Sequence, residues 1–155
     1  MAEGVSASSL QAGFVELASI VRALHGDWSA PVSGYDSWTC HDLLAHLSST
    51  QAALAAVAES STKPAPEGAV PFDADRWNAS QVRKRAEKDP QDLLNEFDMG
   101  TTQLVDALSD LDLEKKVTVG AFPGYTLRDA MAEMLEHQKH HLDDLRASLH
   151  KSLPT

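Results

Sequence analysis

The sequence predicts an all-α protein, a four-helix bundle with long crossover connections and a short extra helix. Three observations lead there. Four long stretches repeat their apolar residues at a helical period. The stretches between them are broken by glycine and proline. The 155 residues suffice for a single domain with a real core, taken as 1–155 with the core at about 8–150, but not comfortably for two.

The first helix is expected over about residues 8–24, where Leu10, Phe14, Leu17, Ile20, Val21 and Leu24 share a face. "HGDWSAPVSGYDS" ends it with Gly, Pro and Gly. The second begins at "TCHDLLAHL". Thr39 is placed to be its N-cap, and Asp42 three residues on makes a capping-box-like arrangement that also suits the helix dipole. An alanine-rich run carries this helix to about residue 59. The linker "SSTKPAPEGAVPFD" holds three prolines and reads as a surface loop. "ADRWNASQVRKRAEK" is the short extra helix. "DPQDLLNEFDMGTTQLVDALSDL" is a longer one, with Asp89 as N-cap and Pro90 at the first helical position. Gly100 within it costs about 1 kcal/mol relative to alanine and marks a place for a kink. "LEKKVTVGAFPGY" has local β character and is expected as an irregular crossover with a short strand. The last helix starts at Thr126, with Asp129 in the capping-box position, and runs to about residue 150. The connections are long enough for crossover topology as well as for up-down-up-down order.

The net charge of −10 with histidines neutral disfavours nucleic acid and anionic membranes. No recognition-helix pattern is present, and "RKR" is the only basic cluster, so a nucleic-acid role is the weakest reading. No long apolar run suggests a membrane span, and "MAEGVSASSL" lacks the basic-then-apolar order of a secretory signal. Cys40 is the single cysteine, which rules out an internal disulfide. These features point to a cytoplasmic protein.

The histidines carry the chemistry. "EHQKHHLDDL" puts His137 and His141 four residues apart with His140 between them. On a helical wheel of the last helix, Leu127, Met131, Met134, Leu142, Leu145 and Leu149 define the core direction. His141 lies roughly 60° from it and His137 roughly 100°, while His140 and Glu136 fall toward solvent. On the second helix Leu43, Leu47, Thr50, Leu54, Val57 and Ala58 define the buried face. His46 lies roughly 80° from its centre and His41 points nearly opposite. Imidazoles at i and i+4 can reach one cation, and a third from another helix would leave open positions for water or substrate. Imidazole donors suit Zn, Ni, Fe or Cu. The plainer reading is electrostatic: histidines in the C-terminal half of a helix are favoured by its dipole without any metal.

Other residues have ordinary readings beside functional ones. Cys40, in the first turn of the second helix, is a nucleophile if the dipole lowers its pKa, and a packing residue otherwise. Trp28, Trp38 and Trp77 line a pocket or cap the ends of the core. Trp38 is also placed as a hydrophobic staple for the second helix. Asn78, one turn from Asp75, contacts a ligand or orients a loop. "RKRAEK" reads as solvated surface charge.

The ordered motifs resemble the DinB-like superfamily, in particular the mycothiol-dependent maleylpyruvate isomerase N-terminal domain group. "SWTCHDLLAHLSST" resembles its second-helix signature, "FDADRWNAS" its mid-chain Asp-x-x-Asn-Ala element, and "FPGYTLRDAMAEMLEHQKHHLDDL" its last-helix His-x-x-x-His motif. The resemblance spans roughly residues 10–149. It implies a four-helix bundle holding a divalent metal, Zn or Ni foremost, through His46, His137 and His141. Some members use Glu-x-x-x-His on the last helix, which makes Glu133 with His137 the second-choice pairing. The resemblance further implies a metal-dependent transferase that uses a low-molecular-weight thiol of mycothiol, bacillithiol or glutathione type on a small-molecule substrate. The additional C-terminal domain of the isomerase is expected to be missing, so isomerisation of maleylpyruvate itself is not expected. The competing expectation is a non-catalytic metal-binding or interaction module, a homodimer joined through an apolar helix face. Gly100 and the alanine-rich second helix would permit close helix approach there.

Overall fold

The structure is a computed structural model that describes residues 4–68 and 70–151. The expectations that touch residues 1–3, Ala69 and 152–155 lie outside the described residues. Among the described residues there are five α-helices and no strand: α1 (Ala7–Arg22), α2 (Cys40–Glu59), α3 (Ala74–Lys84), α4 (Pro90–Ser109) and α5 (Leu127–Lys151). The fold is the all-helical bundle that the periodicity predicts. The β character around 116–126 is spent on an isolated bridge between Lys116 and Thr126 rather than on a strand.

Helix ends follow local chemistry. Ser6 caps α1 in a reciprocal box with Ser9, so the helix starts about one residue earlier than the apolar period suggests. Thr39 accepts from the Asp42 amide at 3.3 Å, and the Asp42 carboxylate accepts from the Thr39 amide at 3.0 Å. The next two amides of α2 are satisfied by the preceding loop: Cys40 donates to the Ala30 carbonyl and His41 to that of Trp28, both at 2.8 Å. α5 begins the same way. Leu127 donates to the Lys115 carbonyl at 2.7 Å, Arg128 to that of Leu113 at 3.1 Å, and Asp129 to the Thr126 hydroxyl at 3.1 Å. The otherwise unpaired first-turn amides therefore pin both histidine-bearing helices to their loops. Pro90 opens α4 as expected, although Asp89 makes no side-chain cap.

The contacts fix the topology. α2 and α5 run antiparallel, since His46 faces His141 and Gln51 faces Gln138. α2 and α4 run parallel: Ser48 donates to the Leu93 carbonyl at 2.7 Å and Gln51 to the Thr101 hydroxyl at 2.8 Å. α1 is antiparallel to α4, with Gln11 donating to the Val105 carbonyl at 2.8 Å and Arg22 paired with Asp98 at 2.9 Å. It is parallel to α5, with Gly13 beside Leu135. The order around the bundle is α1, α4, α2, α5. The α1–α2 and α4–α5 connections cross its diagonals, and the linker with α3 carries the chain between parallel neighbours. The core is mainly apolar, with Phe14, Leu43, Leu47, Phe97, Met131 and Leu145 all fully buried, and it also encloses Ser48, Gln51, Thr101 and Gln138.

Two sequence expectations change here. Gly100 lies inside the unbroken helix α4, and a side chain at that position would meet the Ala52 amide nitrogen at 2.8 Å. Its smallness serves the α2–α4 approach inside the chain. Arg85 is not solvated surface charge: its guanidinium holds Glu96 at 2.7 Å and the Gln81 side chain at 2.7 Å in a half-buried cluster.

Candidate functional site

Leu43, Leu47, Leu54 and Ala58 bury the core face of α2, which leaves His46 at the boundary toward α5. It is only 8% exposed. On α5, burial of Leu135, Leu142 and Leu145 turns His141 toward α2. The two rings meet edge to face with centroids 5.0 Å apart. These are two of the three histidines that the wheels placed beside the core, and the antiparallel packing brings them together; the third, His137, is exposed.

Each ring has its own support. The His141 Nδ1 lies 2.6 Å from the Tyr35 hydroxyl, which donates to the Asp144 carboxylate at 2.6 Å. Because the hydroxyl's proton goes to Asp144, His141 donates from Nδ1 and its Nε2 is left with a lone pair. Burial and the Asp144 carboxylate push the Tyr35 hydroxyl up, so it stays a donor. Trp38 stacks on Tyr35 and stands 5.5 Å from His46. The Nδ1 of His46 is buried and has no hydrogen-bond partner. Burial, reinforced by His141, pulls the pKa of His46 down to about 4. Burial and His137 lower that of His141 as well, against the pull of Asp144. Both rings are neutral at neutral pH, the form in which an imidazole offers a lone pair.

His137 lies one turn before His141, is exposed, and has its ring centroid 6.2 Å from that of Phe122. It lines the same cavity as His46 and His141. Among the described residues, no three His, Cys, Asp or Glu side chains stand close enough together to hold a metal ion. Glu133 is exposed and outside the cavity lining, and His140 is exposed as the wheel indicates. His41, on the opposite side of α2, is half-buried, and its Nε2 lies 2.6 Å from the Lys88 carbonyl.

The histidines edge a cavity of about 460 Å³ between α2, α3, α5 and the loop before α5. Trp77 and Asn78 of α3 line it, so Trp77 is a wall residue rather than a cap. Gly120 also lines it, with φ +91°, and a side chain there would stand 3.0 Å from Val57. At the base, Gln138 donates to Gln51, Gln51 to the Thr101 hydroxyl at 2.8 Å, and Thr101 to the Phe97 carbonyl at 2.9 Å. The carbonyl at the end can only accept, so each amide orientation along this relay is set. Cys40 is fully buried, and burial, with Asp27 nearby, raises its pKa. It packs the core and is no activated thiolate, whatever the helix dipole contributes.

Sequence reasoning missed Tyr35 and Asp144. Asp144 had a signal, since it stands three residues after His141 and shares its face. Tyr35 had none, because only the loop conformation brings it to α5.

The fold and site together define a helical-bundle protein with a histidine-edged pocket between antiparallel helices. The family model for the mycothiol maleylpyruvate isomerase N-terminal domain matches residues 10–144, and the chain belongs to that family. The domain is DinB-like and linked to mycothiol-related enzymes. Neither a curated protein nor a solved structure matches the chain. No helix among the described residues is long and apolar enough to cross a membrane.

Proposed function

We propose that this chain binds a divalent metal, Zn or Ni, and acts in the cytoplasm as a transferase that uses a low-molecular-weight thiol of mycothiol, bacillithiol or glutathione type on a small molecule held in the cavity. The observation that carries this reading is the His46–His141 pair at the cavity edge. One member has a buried nitrogen without a partner, a condition that buried polar groups rarely tolerate. The other is oriented by the Tyr35–Asp144 hydrogen bonds, the kind of outer partner that fixes metal-binding imidazoles. His137 is the third donor, and Glu133 the reserve. A bound metal would supply a lowered pKa to a thiol or water in the cavity. The residues of the chain keep both imidazoles neutral, hold His141 in one tautomer and shield the pair with Trp38.

The test is elemental analysis of untagged protein. About one equivalent of metal per chain is expected, abolished in His46→Ala and His141→Ala and reduced in His137→Ala. Tyr35→Phe should weaken metal affinity about 10–100-fold. A stoichiometry near zero that none of these substitutions changes removes the reading.

A second reading, a non-catalytic homodimeric module, is favoured by Val15 and Met99. They stand 53% and 67% exposed and border one hollow between α1 and α4. Sedimentation of the wild type and of Met99→Lys tests it, and turnover that depends on added Zn, Ni or Mn excludes it.

A further inference from the structure

The cavity wall beyond the histidines has a composition that metal chemistry alone does not require. Among the described residues, no lysine, arginine, aspartate or glutamate lines it. Leu47, Leu54 and Val57 of α2 and Met134 of α5 form its sides. Phe72, Trp77 and Phe122 bring three aromatic rings to it from the linker, α3 and the loop before α5. Phe72 and Trp77 pack with centroids 6.1 Å apart, and Phe122 reaches the histidine end. The polar groups are few, and some are already engaged. The Thr50 hydroxyl donates to the His46 carbonyl at 2.8 Å, and the Gln138 amide nitrogen donates to Gln51, while the Gln138 Oε1 is buried without a partner.

Such a wall has no countercharge for a carboxylate or phosphate. An ion moved from water into it would lose hydration without finding a partner. A neutral ring would instead gain burial and ring contact. The volume of about 460 Å³ lies in the range of small-molecule sites.

We propose that the cavity binds an uncharged aromatic small molecule, of one ring or two fused rings, seated among Phe72, Trp77 and Phe122 with one edge toward His46 and His141. The proposal deepens the functional reading above by naming the class of its small-molecule substrate, and it rests on that reading only for the chemistry that follows binding.

The test is calorimetric titration of the untagged, metal-free protein with 1-naphthol and with 1-naphthoate, which share a ring system and differ in charge. The neutral ligand is expected to bind at least about tenfold more tightly. Trp77→Ala and Phe122→Ala are each expected to weaken naphthol binding about 2–10-fold with helical circular dichroism unchanged. Equal affinity for the two ligands, or preference for naphthoate with or without zinc, overturns the proposal. So does naphthol affinity that neither folded variant alters. Zinc stoichiometry on the same preparations separates the two readings. Protein that takes zinc but not naphthol overturns this inference alone. Protein that takes naphthol but not zinc supports it while removing the metal reading.

Discussion

Lowering the pH should destabilise the folded chain through His46, and the loss follows from where the ring sits. Burial, with His141 beside it, brings the His46 pKa from its ordinary 6.5 to about 4. As pH falls, the unfolded chain takes up this proton first. The stability is therefore fully present above about pH 6.5, declines through the interval, and is fully lost below about pH 4. At about 1.4 kcal/mol per decade, the displacement amounts to about 3 kcal/mol. His141 is lowered in the same sense by burial and His137 and adds to the loss, with Asp144 opposing it. The assay is urea unfolding by circular dichroism at pH 7, 5.5 and 4 with chelator present, on the wild type and His46→Gln. Across that range the wild type should lose about 3 kcal/mol more than the variant, a difference in midpoint movement of about 1–3 M urea. The variant removes the titrating ring, so only the difference in pH dependence counts, not absolute stability. Equal pH dependence in the two proteins would mean that His46 protonates as freely in the fold as in water, and the buried neutral pair would have to be abandoned.

The other predictions concern the packing that positions the site. Gly100→Ala should destabilise the fold by up to about 2 kcal/mol. The new Cβ would meet backbone and Cβ atoms of Gln51 and Ala52 at 2.8–3.1 Å, and overpacking of about 1–3 kcal/mol outweighs the helix-propensity gain of about 1 kcal/mol. Gly13→Ala should be neutral or slightly stabilising, because its Cβ meets only the end of the Leu135 side chain. Urea midpoints compare the two, and equal costs would refute the distinction between backbone and side-chain obstacles. Gln51→Leu should cost about 1–3 kcal/mol by leaving the buried Gln138 amide without its acceptor. The double change Gln51→Leu with Gln138→Leu should recover most of that loss in the same measurement.

The sequence by itself determined the helices, most of their ends and the faces they bury. These depend on neighbours within a turn: Thr39 with Asp42, Pro90 after Asp89, the leucines at helical spacing. It also indicated that His46 and His141 stand beside the core, since a wheel needs only the order of residues. Tertiary structure alone decided that the two rings meet, because helix direction and order around the bundle depend on long connections without periodicity. The same holds for Tyr35, delivered to His141 by a loop, and for Phe72 and Phe122, whose place in the cavity wall has no local signature. Gly100 shows the difference most plainly. Read locally it is a weak point in a helix; packed against Gln51 and Ala52, it is the residue that lets α4 approach the helix carrying His46.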